Sequence, residues 1–430
     1  MSLQLLIDDA LAQTPPGRPV WVALSGGLDS SLLVTLGAEA CRRHPRPLRA
    51  LHVNHGLQAA ADGFELHCRR LCSRLGVPLF VERVEVDLDR GRGLEGAARA
   101  ARYAAFARRV LPGETLWLGQ HRDDQAETFL LAALRGSGVR GLAAMPARRA
   151  WRDGWIERPL LAASRVEIEA EAGRRGLGWV EDPSNLDETL DRNFLRRTVI
   201  PLLERRWPHA DTALAAAAGH AGEADGLLAE LAGEDLARLG GAAGCLPLDG
   251  LLALSDARQR LLVRHACERL GLPAPPARRL EALLAQLDAR QDAETRVAWA
   301  GTEARVWRGH LHLLASPAPL PPDWQAEWDG RAPLLTPLGE VEVSLGPVEP
   351  AGAPPALRLA TRRGGERLRL AGRGSRDLKR LLQEAGVPPW ERDRLLVVWQ
   401  GERVVALLDP QEPRWLACAE GWRADPASSR

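Results

Sequence analysis

Short apolar runs alternate with longer stretches of helical period through the first half of the chain. Val20-Trp-Val-Ala-Leu24 and Leu48-Arg-Ala-Leu-His-Val53 read as buried strands, and residues 77–86 and 115–119 read as two more. Between them, residues 31–43, 65–75, 94–110 and 123–134 carry apolar positions at helical spacing. This alternation predicts an α/β fold, a doubly wound parallel sheet with helices on both faces. Ligands bind such sheets beyond the carboxyl ends of the strands. Ser25, Asn54 and His121 all fall at those ends, so one cleft is expected to hold them. Downstream the pattern changes. Residues from about 213 to 290 are rich in Ala and Leu at helical spacing, and 296–301 and 304–314 read as a hairpin. Ser316-Pro-Ala-Pro-Leu-Pro-Pro322 reads as a linker, and a second Pro-rich stretch covers 347–355. Short strands around one helix, 377–385, complete the chain. The expected domains are 1–212, a mainly helical 213–316, and a small α+β domain over 323–430.

The first strand runs into Ser25-Gly26-Gly27-Leu28-Asp29-Ser30, which then opens a helix. Such a turn aims free backbone N–H groups and the positive end of the helix dipole at one point, where phosphate binds well. Two glycines let the backbone approach an anion closely. Ser25 and Ser30 add hydroxyl donors, and Asp29 can hold Mg²⁺ against phosphates. An ordinary glycine turn with a Ser or Asp cap would look the same at this level. No Gly-Lys-Ser/Thr follows, so this is not a Walker A loop.

A second constellation, His121-Arg-Asp-Asp-Gln-Ala-Glu127, also follows a strand and opens a helix. Asp123 and Asp124 stand four and three residues before Glu127, so the carboxylates can share a face. They could bind Mg²⁺, hold an ammonium group or accept a proton from an amine; they could also simply cap the helix. Arg135-Gly-Ser-Gly138 ends the same helix and fits a glycine C-cap equally well. Further on, Asp182-Pro-Ser-Asn185 precedes Asp191-Arg-Asn-Phe-Leu-Arg196. Arg192 and Arg196 are one turn apart, either a solvated basic face or a guanidinium pair that grips an anion or a charged intermediate.

Composition narrows the reading. The net charge over 430 residues is only +1, so no global basic field advertises nucleic acid. Lys379 is the only lysine, so abundant arginine says nothing by itself and only its clustering counts. One cluster stands out. Between Thr361 and Arg380 there are eight basic residues against two acids, which is either a nucleic-acid surface or a solvated charge run. Arg99, Arg102 and Tyr103 are a smaller candidate for an RNA path. The six cysteines form no C-x-x-C pair, and Cys68 and Cys72, one turn apart, read as core. There is no export signal and no stretch long enough to span a bilayer, so a cytoplasmic protein with no membrane partner is expected.

The glycine loop resembles that of the N-type ATP pyrophosphatases, the PP-loop superfamily. Its order with His52-Val-Asn-His-Gly-Leu57, His-x-Asp-Asp-Gln-x-Glu, Arg-Gly-Ser-Gly, Asp-Pro-Ser-Asn and Asp-Arg-Asn-Phe-Leu-Arg is similar to that of the bacterial tRNA(Ile)-lysidine synthetases, over about the first 210 residues. Arg363-Gly-Gly-Glu-Arg367 and the stretch from Lys379 to Arg392 resemble that family's C-terminal domain, while the middle helices match only in general character. The resemblance implies a ligase that joins L-lysine to C2 of the first anticodon cytidine of the CAU-anticodon isoleucine tRNA. ATP would adenylate the base, and AMP and pyrophosphate would leave. Ser25, Gly26, Gly27, Leu28, Asp29 and Ser30 would bind ATP, with Asp29 on Mg²⁺. Asp124 and Glu127 would hold or deprotonate the lysine amine, and Arg192 and Arg196 would stabilise charge on the activated base. Arg363, Arg367, Lys379 and Arg380 would contact tRNA. The oligomeric state stays open, with a homodimer as the candidate. Among rivals, sulfur-inserting relatives need a cysteine pair and glutamine-dependent ones an N-terminal Cys, neither of which is present. A non-enzymatic tRNA-binding protein would not need Asp29 and Glu127.

Overall fold

The computed structural model describes residues 2–56, 61–85, 93–289, 295–349 and 355–425. They divide into two compact units, Met1–Ala229 and Glu230–Arg430.

The first unit opens with helix α1 (Leu3–Ala12), followed by β1 (Val20–Ala23), α2 (Leu28–Arg43), β2 (Leu48–Asn54), α3 (Ala61–Leu75), β3 (Leu79–Arg83) and α4 (Gly93–Arg109). Next come β4 (Thr115–Trp117), α5 (Arg122–Leu134), the single turn α6 (Val139–Leu142), β5 (Arg148–Trp151), β6 (Gly154–Glu157) and α7 (Arg165–Arg174). The strands form one sheet in the order β3-β2-β1-β4-β6-β5, parallel except for the edge strand β5. The expected parallel sheet is therefore present. Side chains alternate across it as the two-residue strand period requires. Val20, Val22, Ala50 and Trp117 join α1, α2 and α7 in one core. Trp21, Leu51, Leu116 and Ile156 join Phe106 of α4 and Val110 just past it in a second core on the opposite face. Trp117 is fully buried, and its indole N–H donates to the buried Glu157 carboxylate at 2.9 Å. Gly37 lets α2 come close: a Cβ there would sit 3.4 Å from the Trp117 ring.

Several boundaries shift. Helix α2 starts at Leu28, three residues earlier than the apolar period suggests, so Asp29 and Ser30 stand in its first turn. Strand β3 covers only Leu79–Arg83, and position 86 of the expected strand lies outside the described residues. The β5–β6 hairpin and α7 carry no strong apolar run. Arg148-Arg-Ala-Trp151 is an edge strand with little to bury, so its pattern is mostly polar.

In the second unit, helices Leu248–Leu252, Asp256–Arg269 and Ala277–Ala289 share a core with a four-stranded antiparallel sheet. The expected hairpin is a three-stranded meander, Arg296–Trp299, Thr302–Trp307 and His310–Ala315, with Cys245–Pro247 on its edge. The last part is a larger mixed sheet with helices Leu378–Glu384 and Pro389–Arg392. Ser344–Pro347 is a strand paired with Trp422–Asp425, so the second Pro-rich stretch begins inside the fold.

Trp117→Phe removes a fully buried ring portion and the donor to Glu157. It should destabilise the protein by about 3 kcal/mol in chemical unfolding. A loss under about 1 kcal/mol would contradict this account of the core.

Candidate active site

The turn between β1 and α2 is held by its own hydroxyls. Ser30 Oγ accepts from the Ser25 amide at 3.1 Å and lies 2.9 Å from Ser25 Oγ. It also donates to the Gly27 carbonyl at 3.1 Å. Gly26 has φ +95°, in the region that favours glycine, and a Cβ there would press on Phe64 and Cys68 at 3.2 and 3.3 Å. Its carbonyl accepts from the Val180 amide at 3.0 Å. Gly27 occupies the cap position, so the amides of Leu28, Asp29 and Ser30 have no acceptor within the helix. An open nest of donors results, at the positive end of a sixteen-residue helix.

Gly119, just past β4, closes one side of this turn. A Cβ there would meet the Ser30 amide nitrogen at 3.1 Å and the Asp29 backbone at 3.2 Å. The close approach brings the following residues, Gln120 and His121, against the start of α2. The His121 ring is almost fully buried. Its Nε2 lies 3.8 Å from Asp29 and 3.6 Å from Asp124, and its Nδ1 lies 3.3 Å from Asp123. Burial works against a charged ring, but these three carboxylates outweigh it and hold the His121 pKa above its ordinary value. Asp123 feels burial in the upward sense, yet His121 and the Arg165 amide bring it below the usual carboxylate range.

The two acids of the Asp-Asp pair then diverge. Asp123 turns to His121 and the Arg165 amide, whereas Asp124 accepts from the His121 amide at 3.0 Å and from Arg196 Nη2 at 3.0 Å. Glu127 is fully buried and receives both arms of the Arg196 fork, at 2.6 and 3.1 Å. Burial pushes the Glu127 pKa up, and Arg196 opposes without cancelling it. Burial would lower the Arg196 pKa, but Glu127, Asp124 and Asp29 hold it above its ordinary value. Arg196 projects from a widened π-type turn, Leu195–Val199, inside an otherwise helical run. Arg192, one turn earlier, donates to Thr128 at 3.2 Å. Asn193 ties this run to the Asp182-Pro-Ser-Asn185 turn through the Ser184 and Asp187 carbonyls, both at 2.8 Å.

Asp29 has a partner that pattern reading missed. Arg165, the first residue of α7, donates to both Asp29 oxygens at 3.1 and 3.2 Å. Burial raises the Asp29 pKa, His121 and Arg165 pull it down, and the result stays above the ordinary value. The only sequence signal near Arg165 is the Ser164-x-x-Glu167 capping box, which marks a helix start and not a ligand site. Gly119 gave no signal either.

Other candidates resolve into local roles. Asn54 forms a turn, accepting from the Gly56 amide at 2.9 Å and donating to Glu65 at 3.3 Å. Arg135-Gly-Ser-Gly138 is a helix stop. Ser137 and Gly136 donate back to Ala132 and Ala133, both at 3.0 Å, with Gly136 at φ +65°. Cys68 and Cys72 are buried thiols pushed up to about 12 and about 11. Among the described residues, no group of three or more His, Cys, Asp or Glu is placed to hold a metal. In the second unit, Arg363 pairs with Asp323 at 3.2 Å and Arg380 with Glu384 at 3.1 Å. Arg367 donates to the Ser375 carbonyl at 3.3 Å, and Lys379 is exposed. No helix of the described residues is long and apolar enough to cross a membrane.

Comparison with known proteins agrees with this geometry. Residues 3–203 match a PP-loop domain, residues 246–312 a TilS substrate binding domain and residues 357–410 a TilS substrate C-terminal domain. A tRNA(Ile)-lysidine synthase from Xanthomonas axonopodis pv. citri is 47% identical, over 93% of this chain and 91% of its own length. Those from Alkalilimnicola ehrlichii and Pseudomonas putida are 45% and 46% identical, over 96% and 90% of this chain and 94% and 92% of their own lengths. With a PP-loop domain at one end and relatives this similar over more than nine-tenths of its length, the chain belongs to the tRNA(Ile)-lysidine synthase family.

Proposed function

We propose that this chain uses ATP to ligate L-lysine to C2 of the first anticodon cytidine of the CAU-anticodon isoleucine tRNA, releasing AMP and pyrophosphate. The observation that carries the reading is the meeting of the phosphate turn and the acid cluster at His121, whose Nε2 is 3.8 Å from Asp29 and 3.6 Å from Asp124. Adenylation and amine attack need those two functions side by side.

The C2 oxygen of cytosine is a poor leaving group, and transfer of AMP makes it a good one. The amides of Leu28, Asp29 and Ser30 and the Ser25 hydroxyl hold the phosphates, with no rearrangement needed as charge develops on the departing pyrophosphate. Mg²⁺ usually takes one or two carboxylates plus phosphate oxygens, so a single carboxylate beside the phosphate turn suits it. Asp29 would hold it, and the ion would neutralise charge on the leaving group. Arg165, which now donates to both Asp29 oxygens, would be free to face the phosphates with Asp29 so engaged. At the other end of the cluster, Arg196 holds positive charge over Asp124 and Glu127. The lysine ε-amine competes for the same carboxylates. Binding it as an ammonium and deprotonating it conflict, because a carboxylate beside an ammonium raises its pKa. Glu127 eases the conflict: its raised pKa makes it a better proton acceptor than an ordinary carboxylate. When the amine arrives, Arg196 can turn toward the adenylated base with Arg192. The target base leaves its stack to reach this cleft. The Thr361–Arg380 arginines and Lys379 supply phosphate contacts to the tRNA body.

Asp29→Ala should lower AMP formation by about 100-fold or more in a single-turnover assay with labelled ATP. Near-normal turnover with Mg²⁺ would remove Asp29 from the mechanism. Glu127→Gln should slow lysine transfer or raise the KM for lysine by at least about tenfold, with the KM for ATP little changed. Wild-type values for both would leave these acids as helix caps. The basic surface is best tested in the full chain, because a cut at Pro347 would strip the 344–347 strand from its partner. Replacing Arg363, Arg367, Lys379 and Arg380 together by Gln should weaken tRNA binding and flatten its salt dependence. Lys379→Ala should cost more affinity than Arg373→Ala. An unchanged salt slope in the quadruple variant would refute a phosphate-binding role for these side chains.

A further inference from the structure

Arg158 stands apart from every other arginine of the cleft. It follows β6 directly, at the carboxyl end of a parallel strand, and its side chain is about 96% buried, since only 4% of the residue is exposed. Buried guanidinium groups are nearly always paired with an acid, because an unpaired buried charge is costly. Arg158 has no acid at ion-pair distance among the described residues. Nε donates to Gln120 Oε1 at 2.5 Å and Nη1 to the Pro146 carbonyl at 2.7 Å. Both acceptors are neutral, and Nη2 makes no hydrogen bond to a described residue.

The surroundings add positive charge. Burial draws the Arg158 pKa down to about 10, with Arg149 and Arg99 pushing the same way and Tyr103 opposing. The Arg99 and Arg149 guanidinium groups lie 5.0 and 5.6 Å from the Tyr103 ring centre. The region therefore holds three guanidinium groups and a phenol, and within it Nη2 of the buried Arg158 is left without an acceptor among the described residues. An oxyanion would complete it.

Its position narrows the choice. Gln120, the residue that Arg158 grips, directly precedes His121. The uncompensated cation is thus held by the residue next to the one that gathers the acids, a juxtaposition that suits a small zwitterion with an ammonium at one end and a carboxylate at the other. A tRNA phosphodiester is also an oxyanion, but a polynucleotide backbone arrives at exposed surfaces, whereas this nitrogen belongs to a buried side chain. On the proposed lysine ligation, on which this step rests, we infer that Arg158 binds the α-carboxylate of the lysine substrate, with Gln120 fixing the guanidinium for it.

The test compares lysine with cadaverine, its decarboxylated analogue, in the full-length enzyme with ATP and CAU-anticodon tRNA. Wild-type enzyme should use cadaverine at least about 100-fold less well in kcat/KM, because a site built for a charged group rejects a ligand that lacks it. Arg158→Gln should raise the KM for lysine by about 30- to 100-fold, leave the KM for ATP and the tRNA Kd within about twofold, and shrink the lysine–cadaverine discrimination below about fivefold. Equal use of the two amines by wild-type enzyme would overturn the inference without any variant. A loss of tRNA affinity and salt dependence in Arg158→Gln, at unchanged lysine KM, would overturn it in favour of a phosphodiester contact. Absence of any lysine-dependent product in wild-type enzyme would instead sink the proposed ligation itself.

Discussion

Four carboxylates crowd the sheet edge of the first unit, and their mutual repulsion is the constraint that orders the site. Asp29, Asp123, Asp124 and Glu127 come from two helix starts that Gly119 brings together. Left alone, such a group would take up protons or spread apart. Here it is held by cations from three other places. His121 lies among three of the acids, Arg165 holds Asp29, and Arg196 spans Asp124 and Glu127. Each clamp is also a point of control. A carboxylate whose cation can be exchanged for a metal or an ammonium is poised to bind either, and the raised pKa values of Asp29 and Glu127 record how incompletely the clamps offset burial.

The fold serves that constraint. The parallel sheet points every βα turn of interest toward one edge, and two dry cores fix its two faces. Trp117 ties β4 to β6 through Glu157, so Gly119 and Arg158 leave neighbouring strands in a fixed relation. Around the cluster, charge is sorted. At the acid cluster each cation is paired, whereas Arg99 and Arg149 gather on the Tyr103 ring and Arg158 binds Gln120, beside His121. A substrate with opposite charges at its two ends matches that division.

Much of this was legible in the sequence because it is local. The period-two and helical patterns gave the α/β alternation, and the Ser-Gly-Gly-Leu-Asp-Ser stretch announced a strand-to-helix turn through its glycines and its flanking runs. The acids of His121–Glu127 showed as a cluster for the same reason. What stayed hidden is long-range pairing. Arg165 lies 136 residues from Asp29, and Arg196 lies 69 residues from Glu127, so no window of sequence joins them. Arg192 and Arg196 read as a pair on one face, and Arg196 reaches Asp124 and Glu127 through a turn widened at Leu195–Val199 that helical periodicity does not anticipate. Arg158 was invisible for a further reason. In a chain with one lysine and abundant arginine, a single arginine carries no signal until its burial and its neutral partners are seen.

The most direct measurement of the central claim is AMP release from labelled ATP in the presence of CAU-anticodon isoleucine tRNA transcript and lysine, with the tRNA recovered and its first anticodon nucleoside analysed. The account predicts AMP and a lysine-bearing cytidine in equal amounts only when ATP, tRNA and lysine are all present. ATP cleavage that ignores the tRNA, or a recovered tRNA whose cytidine carries no lysine, would contradict it.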